Sequence, residues 1–382
     1  MKLATGRRMA GITAISALAL TLAACGSDSS ADDTTDSGDT GSSEETGGED
    51  MGAELSGTIA GSGASSQENA VQGWLAGFME ANPGATVTYD PTGSGTGREQ
   101  FINGTVQFAG SDAALDGEEL AAAQERCGGT VIEAPLYISP IAVVYNIPDL
   151  NDTNINLGPD TIANIFAGEI TNWNDPAIVE ANPDIELPDL EIVPVNRSDD
   201  SGTTENFTEY LAAAAPEVWT HEPSGLWPIE GTQSGAQTSG VLGVVEAAEG
   251  TIAYVDASRV GELGSVAVGV GEEFVPFSPE AAAHVVDVSE PGADATDTIL
   301  TIDLARDTQE SGAYPIVLIS YSLACGSYDN EEHASLVQGY LTYVASEEGQ
   351  NRAAQPDVAG SAPISDGMRE RVNAALETIS AG

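Results

Sequence analysis

The chain has very few basic side chains, and this scarcity excludes several classes of function. Its 382 residues include 60 acidic residues but only 11 lysines and arginines, and Lys2 is the only lysine. Nucleic-acid binding depends on clustered lysine and arginine, so the sequence excludes it. A nucleotide-binding loop of the Walker type needs a lysine followed by serine or threonine, and no segment of the chain offers that pair.

Histidine and cysteine are almost as rare. His221, His284 and His333 show no spacing typical of metal ligands, so the sequence predicts no metal site, and no motif predicts a cofactor. Cysteine pairs in exported proteins are normally oxidised. Because the N-terminal segment described next predicts export, Cys127 and Cys325 are predicted to form a disulfide, with two buried free thiols as the alternative.

The one long apolar stretch lies near the N-terminus. This stretch, residues 12–24, follows three basic residues and is too short to span a bilayer. It ends in Leu-Ala-Ala before Cys25, which looks like a bacterial lipobox. The pattern predicts a lipoprotein signal peptide over residues 1–24 and a lipid on the sulfur of Cys25. Residues 25–54 are rich in acidic residues, serine, threonine and glycine, and are predicted to form a disordered acidic tether.

Glycine and small hydroxyl residues follow several predicted strands. These segments are Gly61–Ser66, Thr92–Gly97 and Gly110–Asp112. Because strand and helix patterns alternate along most of the chain, we expect α/β layers. In open α/β sheets, ligands bind outside the carboxyl ends of the strands, so these segments are expected to line one site. The candidate helices are 160–168, 203–215, 236–248 and 331–348, and the apolar strand candidates are Ile141–Tyr145, Ile252–Val255 and Ile316–Ile319.

Residues 193–211 carry the clearest binding signal. A strand-like run enters a polar loop that leads into a predicted helix. A helix N-terminus leaves backbone N–H groups unpaired and suits an anion. Ser201 and Thr203 add hydroxyl donors, Gly202 lets the backbone come close, and Arg197 supplies a planar cation. An ordinary capped helix with a solvated arginine is the alternative.

Taken in order, these segments resemble the phosphate-binding proteins of phosphate-specific ABC transporters, the PstS family. The matching segments cover roughly residues 57–380 and are Gly61–Ala64, Tyr89 with Gly93–Gly95, Val106–Leu115, Ile170–Pro176, Arg197–Phe207, Trp227–Ile229, Gly250–Val255 and Tyr314–Val317. The resemblance implies an α/β, two-lobed periplasmic-binding-protein-like fold (a type II solute-binding protein) with the ligand cleft between the lobes. It also implies a monomer that is not an enzyme, captures inorganic phosphate outside the cell membrane and delivers it to an ABC permease.

The resemblance also implies roles for individual residues. Those expected to donate hydrogen bonds to phosphate oxygens are Ser65, Ser66, Ser94, Ser201, Gly202 and Thr203. Arg197 would supply the cationic contact and Asp199 would hold it in place, while Asp112 would accept the proton of hydrogen phosphate. The family's Gly-Lys-Gly-Asn loop is replaced here by Gly231–Gly240, so a contact from that loop stays open. Arg98 is expected to open the helix that follows the Gly93–Gly97 turn and is interpreted as a solvated arginine, with a place in the cleft as the alternative.

By the same resemblance, lobe I combines residues 55–138 and 312–382, and lobe II is residues 139–311. The predicted contact residues then divide between the lobes. Lobe I would supply Ser65, Ser66, Ser94 and Asp112, and lobe II would supply Arg197, Ser201, Gly202 and Thr203. An anion between the two groups would bridge the lobes and favour their closure.

Three other functions compete with this interpretation. A receptor for another oxyanion such as sulfate keeps the fold, but sulfate has no proton to donate to Asp112. A secreted phosphatase or serine hydrolase would use Ser94 or Ser201, but a nucleophilic serine needs a positioned base and no histidine lies in these loops. A structural surface antigen would use the same anchor and would need no converging donors.

Overall fold

Strands and helices alternate over residues 55–382, the part of the chain that this computed structural model describes. The strands are β1 (Ser56–Gly63), β2 (Gly84–Asp90), β3 (Phe108–Ser111), β4 (Val131–Tyr145), β5 (Asn154–Leu157), β6 (Val193–Arg197), β7 (Gln233–Gly235), β8 (Thr251–Asp256), β9 (Gly264–Val270), β10 (Glu273–Val275), β11 (Glu290–Pro291), β12 (Ile302–Asp303), β13 (Val317–Cys325), β14 (Ser327–Tyr328) and β15 (Ser380–Ala381). The helices are α1 (Glu68–Ala81), α2 (Ser94–Ile102), α3 (Gly117–Arg126), α4 (Pro159–Ala167), α5 (Pro176–Ala181), α6 (Gly202–Ala214), α7 (Gln237–Ala247), α8 (Pro279–Asp287), α9 (Glu331–Ala345), α10 (Glu347–Ala353) and α11 (Asp366–Leu376), with a 3₁₀ turn at Ala257–Arg259.

The main sheet has eleven strands, and β4 joins its two halves. The strand order is β2-β1-β3-β13-β4-β8-β6-β7, and β9 pairs with β4, β5 and β10. The first part of β4, up to Pro140, runs antiparallel to β13, whereas Ile141–Tyr145 runs antiparallel to β8. Parallel pairs flank this junction, β1 with β2 and β3 on one side and β6 with β7 and β8 on the other. The result is a two-lobed α/β fold in which one strand passes through both halves.

Every residue of β4 is buried, as expected of a central strand. The sequence predicted only its second part, Ile141–Tyr145. The first part contains Pro135 and Pro140, which cannot donate to a strand ladder and which interrupt the apolar pattern. Opposite this part, the register shifts between Ser320 and Tyr321 of β13. A bulge of this kind accommodates the proline within the sheet.

Other predicted elements differ from the structure at their ends. The first three residues of the Gly61–Ser66 segment are the last part of β1, and residues 94–97 of the Thr92–Gly97 segment form the first turn of α2. The predicted helix 331–348 is divided into α9 and α10 at Ser346, whose side chain caps the second helix by accepting from the backbone N–H of Gly349. Serine favours such a cap because its oxygen satisfies an N–H that has no partner in the helix.

Cys127 and Cys325 form the predicted disulfide, with their Cα atoms 5.0 Å apart. It ties the end of α3 to the end of β13 across 198 residues of sequence. The signal peptide, Cys25 and the acidic tether lie outside the described residues. Within residues 55–382, no helix has both the length and the apolar character to cross a bilayer. The residue limits of the two lobes stay a prediction.

Candidate anion-binding site

The predicted contact residues lie together where strands of both halves of the sheet end. Ser65 and Ser66 follow β1, Ser94 begins α2, and Asp112 follows β3. From the other half of the sheet, Arg197 ends β6 and the next residues lead into α6. All of these side chains are buried; the most exposed, Ser65 and Arg197, are 4% exposed.

Two glycines allow the close approach of these segments. At Gly63, with φ +140°, an added Cβ would lie 1.9 Å from the carbonyl oxygen of Gly110, so β1 and β3 could not meet with a side chain there. At Gly202, an added Cβ would lie 2.7 Å from both Asp112 Cβ and Ser94 Oγ. The first helical residue of α6, Gly202, therefore lies directly against Asp112 and Ser94.

Asp112 is the centre of the hydrogen-bond network. Ser66 Oγ lies 2.8 Å from both carboxylate oxygens, and Thr203 Oγ1 donates to Oδ2 at 3.1 Å. The backbone N–H of Asp112 donates to Ser94 Oγ at 3.1 Å. Burial raises the pKa of the Asp112 carboxyl, while the hydroxyls of Ser66, Ser320 and Thr203 and the charge of Arg197 lower it. Asp112 is thus a buried acceptor that is supported by neutral donors rather than by a direct ion pair.

Arg197 is held by Asp199 through a two-point contact. Its Nε lies 2.8 Å from Oδ1 and its Nη2 lies 2.5 Å from Oδ2. Burial raises the pKa of Asp199, but the hydrogen bonds and charge of Arg197 outweigh it and the net shift is downward. The backbone N–H groups of Gln237 and Arg197 complete the arrangement, since the first donates to Asp199 and the second to the hydroxyl of Tyr254. The guanidinium is thereby oriented before any ligand arrives.

Ser201 has a structural role in addition to any contact with a ligand. Its Oγ accepts a hydrogen bond from the backbone N–H of Thr204 at 3.2 Å and caps α6. The hydroxyl proton remains free for another acceptor, because a hydroxyl both donates and accepts. The N-terminus of α6 therefore offers this hydroxyl together with the backbone N–H groups of its first turn.

Thr238 is a site residue that the sequence interpretation missed. It lies in the first turn of α7, is 3% exposed, and its Oγ1 is 3.1 Å from Ser65 Oγ. Its backbone N–H also donates to Ser65 Oγ at 3.2 Å. The Gly231–Gly240 segment thus reaches the site without lysine or asparagine. A hydroxyl in the first turn of the predicted helix 236–248 was the available signal, the same one that singled out Thr203.

Gln237, just before Thr238, has φ 59° and is the only non-glycine residue with positive φ among the described residues. Such a backbone is uncommon for a side chain of this kind and persists where surrounding structure holds it. Here it aims the N–H of Gln237 at Asp199 and places Thr238 against Ser65.

The interpretation of Arg98 as a solvated arginine was wrong. Its side chain is buried, with Nε 2.8 Å from Glu119 Oε2 and Nη1 3.2 Å from Ser111 Oγ. The helix begins at Ser94, so Arg98 lies a full turn inside α2 and faces β3 rather than opening the helix. A long 3.9 Å contact to Asp200 also connects it with the loop that follows Arg197.

The model of a family described as "PBP superfamily domain" matches residues 47–348. Phosphate-binding protein PstS 3 of Mycobacterium tuberculosis is 32% identical over 377 residues, which cover 97% of this chain and 98% of that protein. Phosphate-binding protein PstS of Methanocaldococcus jannaschii is 28% identical over 302 residues, covering 75% of this chain and 77% of that protein. The chain belongs to the PstS family of phosphate-binding proteins within this superfamily.

Solved structures agree on the fold. A high-affinity periplasmic phosphate-binding protein bound with phosphate has a TM-score of 0.66 at 20% identity, covering 83% of this chain and 93% of that one. A phosphate-binding protein from Stenotrophomonas maltophilia has a TM-score of 0.61 at 19% identity, with the same coverage. The two-lobed binding-protein fold is confirmed. Membership of this family makes the chain a solute-binding protein and not an enzyme.

Proposed function

We propose that this protein captures inorganic phosphate outside the cell membrane and delivers it to an ABC permease for import. The observation that supports this most is the meeting of neutral donors, one held guanidinium and one buried carboxylate at the ends of strands from both halves of the sheet. The relatives named as phosphate-binding proteins span nearly the whole chain.

The donor set suits a small oxyanion. The hydroxyls of Ser65, Ser66, Ser94, Ser201 and Thr203, with the backbone N–H groups at Gly202 and the start of α6, would hold the oxygens, and Thr238 would join them. Arg197 would add the one cationic contact. The net charge of −49 does not oppose this, because exposed charges are screened beyond about 8 Å at physiological salt and local donors decide affinity.

Asp112 would select for a protonated ligand. Hydrogen phosphate carries a proton that it can donate to the buried carboxylate, whereas sulfate carries none and would face it with no proton between them. A site built around a ligand hydrogen rejects the analogue lacking it by roughly 10⁴–10⁵. A receptor for sulfate, the closest rival, therefore fits this carboxylate poorly.

We also propose the location and the assembly. A signal peptide over residues 1–24 and a lipid on Cys25 would anchor the protein on the extracytoplasmic face, and residues 25–54 would tether it. The Cys127–Cys325 disulfide supports an oxidising compartment. Residues 55–138 and 312–382 would form lobe I and residues 139–311 lobe II of a monomer that closes around phosphate and then docks on the permease.

Ligand-dependent thermal stabilisation tests this function. Phosphate at 100 times its dissociation constant should add about 2.7 kcal/mol to the free energy of unfolding. Sulfate at the same concentration should leave the melting temperature unchanged. Equal stabilisation by the two anions would support the rival receptor, and no stabilisation by either would reject the proposal. A chromogenic phosphoester added in parallel should not be hydrolysed.

A further inference from the structure

Two hydroxyls that donate to Asp112, those of Ser66 and Thr203, are also needed as donors to the proposed ligand. A hydroxyl has one proton to donate. In the structure, Ser66 and Thr203 both give that proton to Asp112. The proposed function assigns the same two protons to phosphate oxygens. When Ser66 and Thr203 turn to the ligand, the buried carboxylate therefore loses the donors that support its charge.

Ser320 is placed to replace them. It lies on β13 opposite the bulge in β4, where the register shifts between Ser320 and Tyr321. Bulges re-aim side chains, and this one lies beside the site. Ser320 is 1% exposed, and among residues 55–382 its Oγ has no hydrogen-bond partner. A buried hydroxyl without a partner is costly, so its presence requires an explanation.

Strand pairing places Ser320 beside Asp112: β13 runs antiparallel to β3 with Tyr321 opposite Ser111, so the next residue of β13, Ser320, lies level with Asp112. The hydroxyl is close enough to lower the pKa of that carboxyl, although it makes no hydrogen bond in the structure. On the predicted division of the lobes, both residues belong to lobe I, whereas Thr203 belongs to lobe II. The pair would then stay together whether the lobes are open or closed, while the Thr203 contact depends on closure.

We propose that Ser320 is a specificity-positioning residue: it donates its proton to Asp112 when Ser66 and Thr203 turn to the ligand, and so keeps Asp112 a pure acceptor. The proposal rests on the proposed phosphate-binding function. It extends that function to a residue outside the segments that carry the family resemblance.

The proposed hydrogen bond from Ser320 to Asp112 affects the binding of sulfate rather than that of phosphate. An ionised Asp112 rejects sulfate, but a protonated Asp112 can donate to a sulfate oxygen and would admit it. Sulfate rejection therefore ends as the pH falls through the pKa of Asp112. Ser320 lowers that pKa, because a donor to the charged form favours it. Without the Ser320 hydroxyl, sulfate would enter at a higher pH.

Other charged and titratable groups also face Asp112. Arg197 lowers its pKa, and Tyr89 of β2 lies close enough for the charge of Asp112 to raise the pKa of the phenol. Asp116, Glu205 and Arg306 line a cavity of about 670 Å³ that Asp112 also borders. None of these groups changes in a Ser320 variant, so their contributions cancel when variant and wild type are compared.

The test measures sulfate affinity from pH 5 to 8 by titration calorimetry for the full chain, Ser320→Ala and Ser320→Cys. A hydrogen bond to a charged group corresponds to a pKa change of about one to two units, so the onset of sulfate binding should move up by about one pH unit or more in both variants. Cysteine fills nearly the same space but is a weak donor. If Ser320 only filled space, Ser320→Cys would behave like the wild type. Ser322→Ala, a buried serine on the same strand, is the matched control and should not shift the onset.

Phosphate affinity, measured in parallel at pH 7.5, separates this inference from the proposed function. A wild type that binds phosphate and rejects sulfate, with an unchanged sulfate onset in Ser320→Ala or Ser320→Cys, would overturn the role of Ser320 alone. A wild type that does not bind phosphate would overturn both.

Discussion

Asp112 and Asp256 are both buried aspartates at the carboxyl ends of strands, yet their surroundings differ. Asp112 is 3% exposed and Asp256 is not exposed at all, and burial raises the pKa of both carboxyls, that of Asp256 to about 6. Asp256 ends β8 beside the part of β4 where the two halves of the sheet meet. It accepts from the hydroxyl of Tyr137 at 3.0 Å and from the backbone N–H of Ser258 at 2.9 Å.

Asp112 and Asp256 differ in whether their hydrogen-bond donors are free to turn to another acceptor. The backbone donor to Asp256 lies in its own turn, and Tyr137 lies in the central strand. The hydroxyls of Ser139 and Ser258, which also lower the pKa of Asp256, belong to those same two segments. Asp112 instead receives side-chain hydroxyls from separate segments, and Arg197 is near it. Those hydroxyls can turn to a ligand. A raised pKa therefore does not by itself identify a binding site. The feature that distinguishes Asp112 from Asp256 is its set of side-chain donors from separate segments.

The largest expected effect comes from Asp112→Asn. The amide can donate to an oxygen of sulfate, so the preference for phosphate over sulfate should fall by orders of magnitude from the roughly 10⁴–10⁵ expected of such a site. Titration calorimetry with both anions measures it. Asp256→Asn is the matched control and should keep the preference. Unchanged selectivity in Asp112→Asn would remove the basis of the comparison.

The second prediction concerns the stability of Asp256→Asn. The pKa of Asp256 is about 6 in the folded state and about 4 in the unfolded chain, so the folded state binds more protons between these values. This group's contribution to stability is therefore greatest below about pH 4 and is lost as the pH rises to about 6, by about 3 kcal/mol. Asparagine removes that contribution. Denaturant unfolding at pH 4.5 and 7 should show a smaller loss of stability with rising pH in the variant, and parallel changes in the two proteins would contradict it.

A smaller effect is expected for Arg197→Lys. Lysine keeps the charge but cannot make the two-point contact with Asp199 that orients the cation. Because charge-assisted hydrogen bonds contribute about 1.5–3 kcal/mol, phosphate should bind about ten- to a hundredfold more weakly. Arg369→Lys, which alters an ion pair with Asp366 on α11, is the control and should bind normally. Wild-type affinity in Arg197→Lys would show that orientation by Asp199 is unimportant.

The smallest effect is expected for Thr238→Ala. It removes one hydroxyl that contacts Ser65, and a neutral hydrogen bond contributes about 0.5–1.5 kcal/mol. Phosphate affinity should fall by about two- to tenfold, through faster release, in stopped-flow measurements. The neighbouring Ser239→Ala, which changes an exposed residue of the same helix, should have no effect. Identical release rates in the two variants would place Thr238 outside the site.

The sequence predicted those site residues that belong to a recognisable pattern of neighbouring residues. Ser94, Asp112 and Arg197 were found because each lies at a junction between a strand and a following turn or helix, and such junctions have short-range patterns. Thr238 was missed although it lies in the first turn of a predicted helix, because that local signal does not show that the turn meets Ser65, 173 residues away in the sequence.

Ser320 and Arg98 show two other limits. The position of Ser320 beside Asp112 follows from the pairing of β13 with β3, and a bulge that accommodates Pro135 lies on its other side, so no pattern in the residues around Ser320 predicts it. The interpretation of Arg98 failed because the start of α2 was placed after the glycines instead of at Ser94. A shift of one turn decided whether the side chain was expected in solvent or against β3.

A crystal structure of the wild type grown with phosphate would show directly whether the ligand meets Asp112. We expect one phosphate between Ser94, Arg197 and the start of α6, with an oxygen about 2.5–2.7 Å from a carboxylate oxygen of Asp112, the range for a hydroxyl donating to a carboxylate. A phosphate bound elsewhere, or one that Asp112 does not contact, would contradict it.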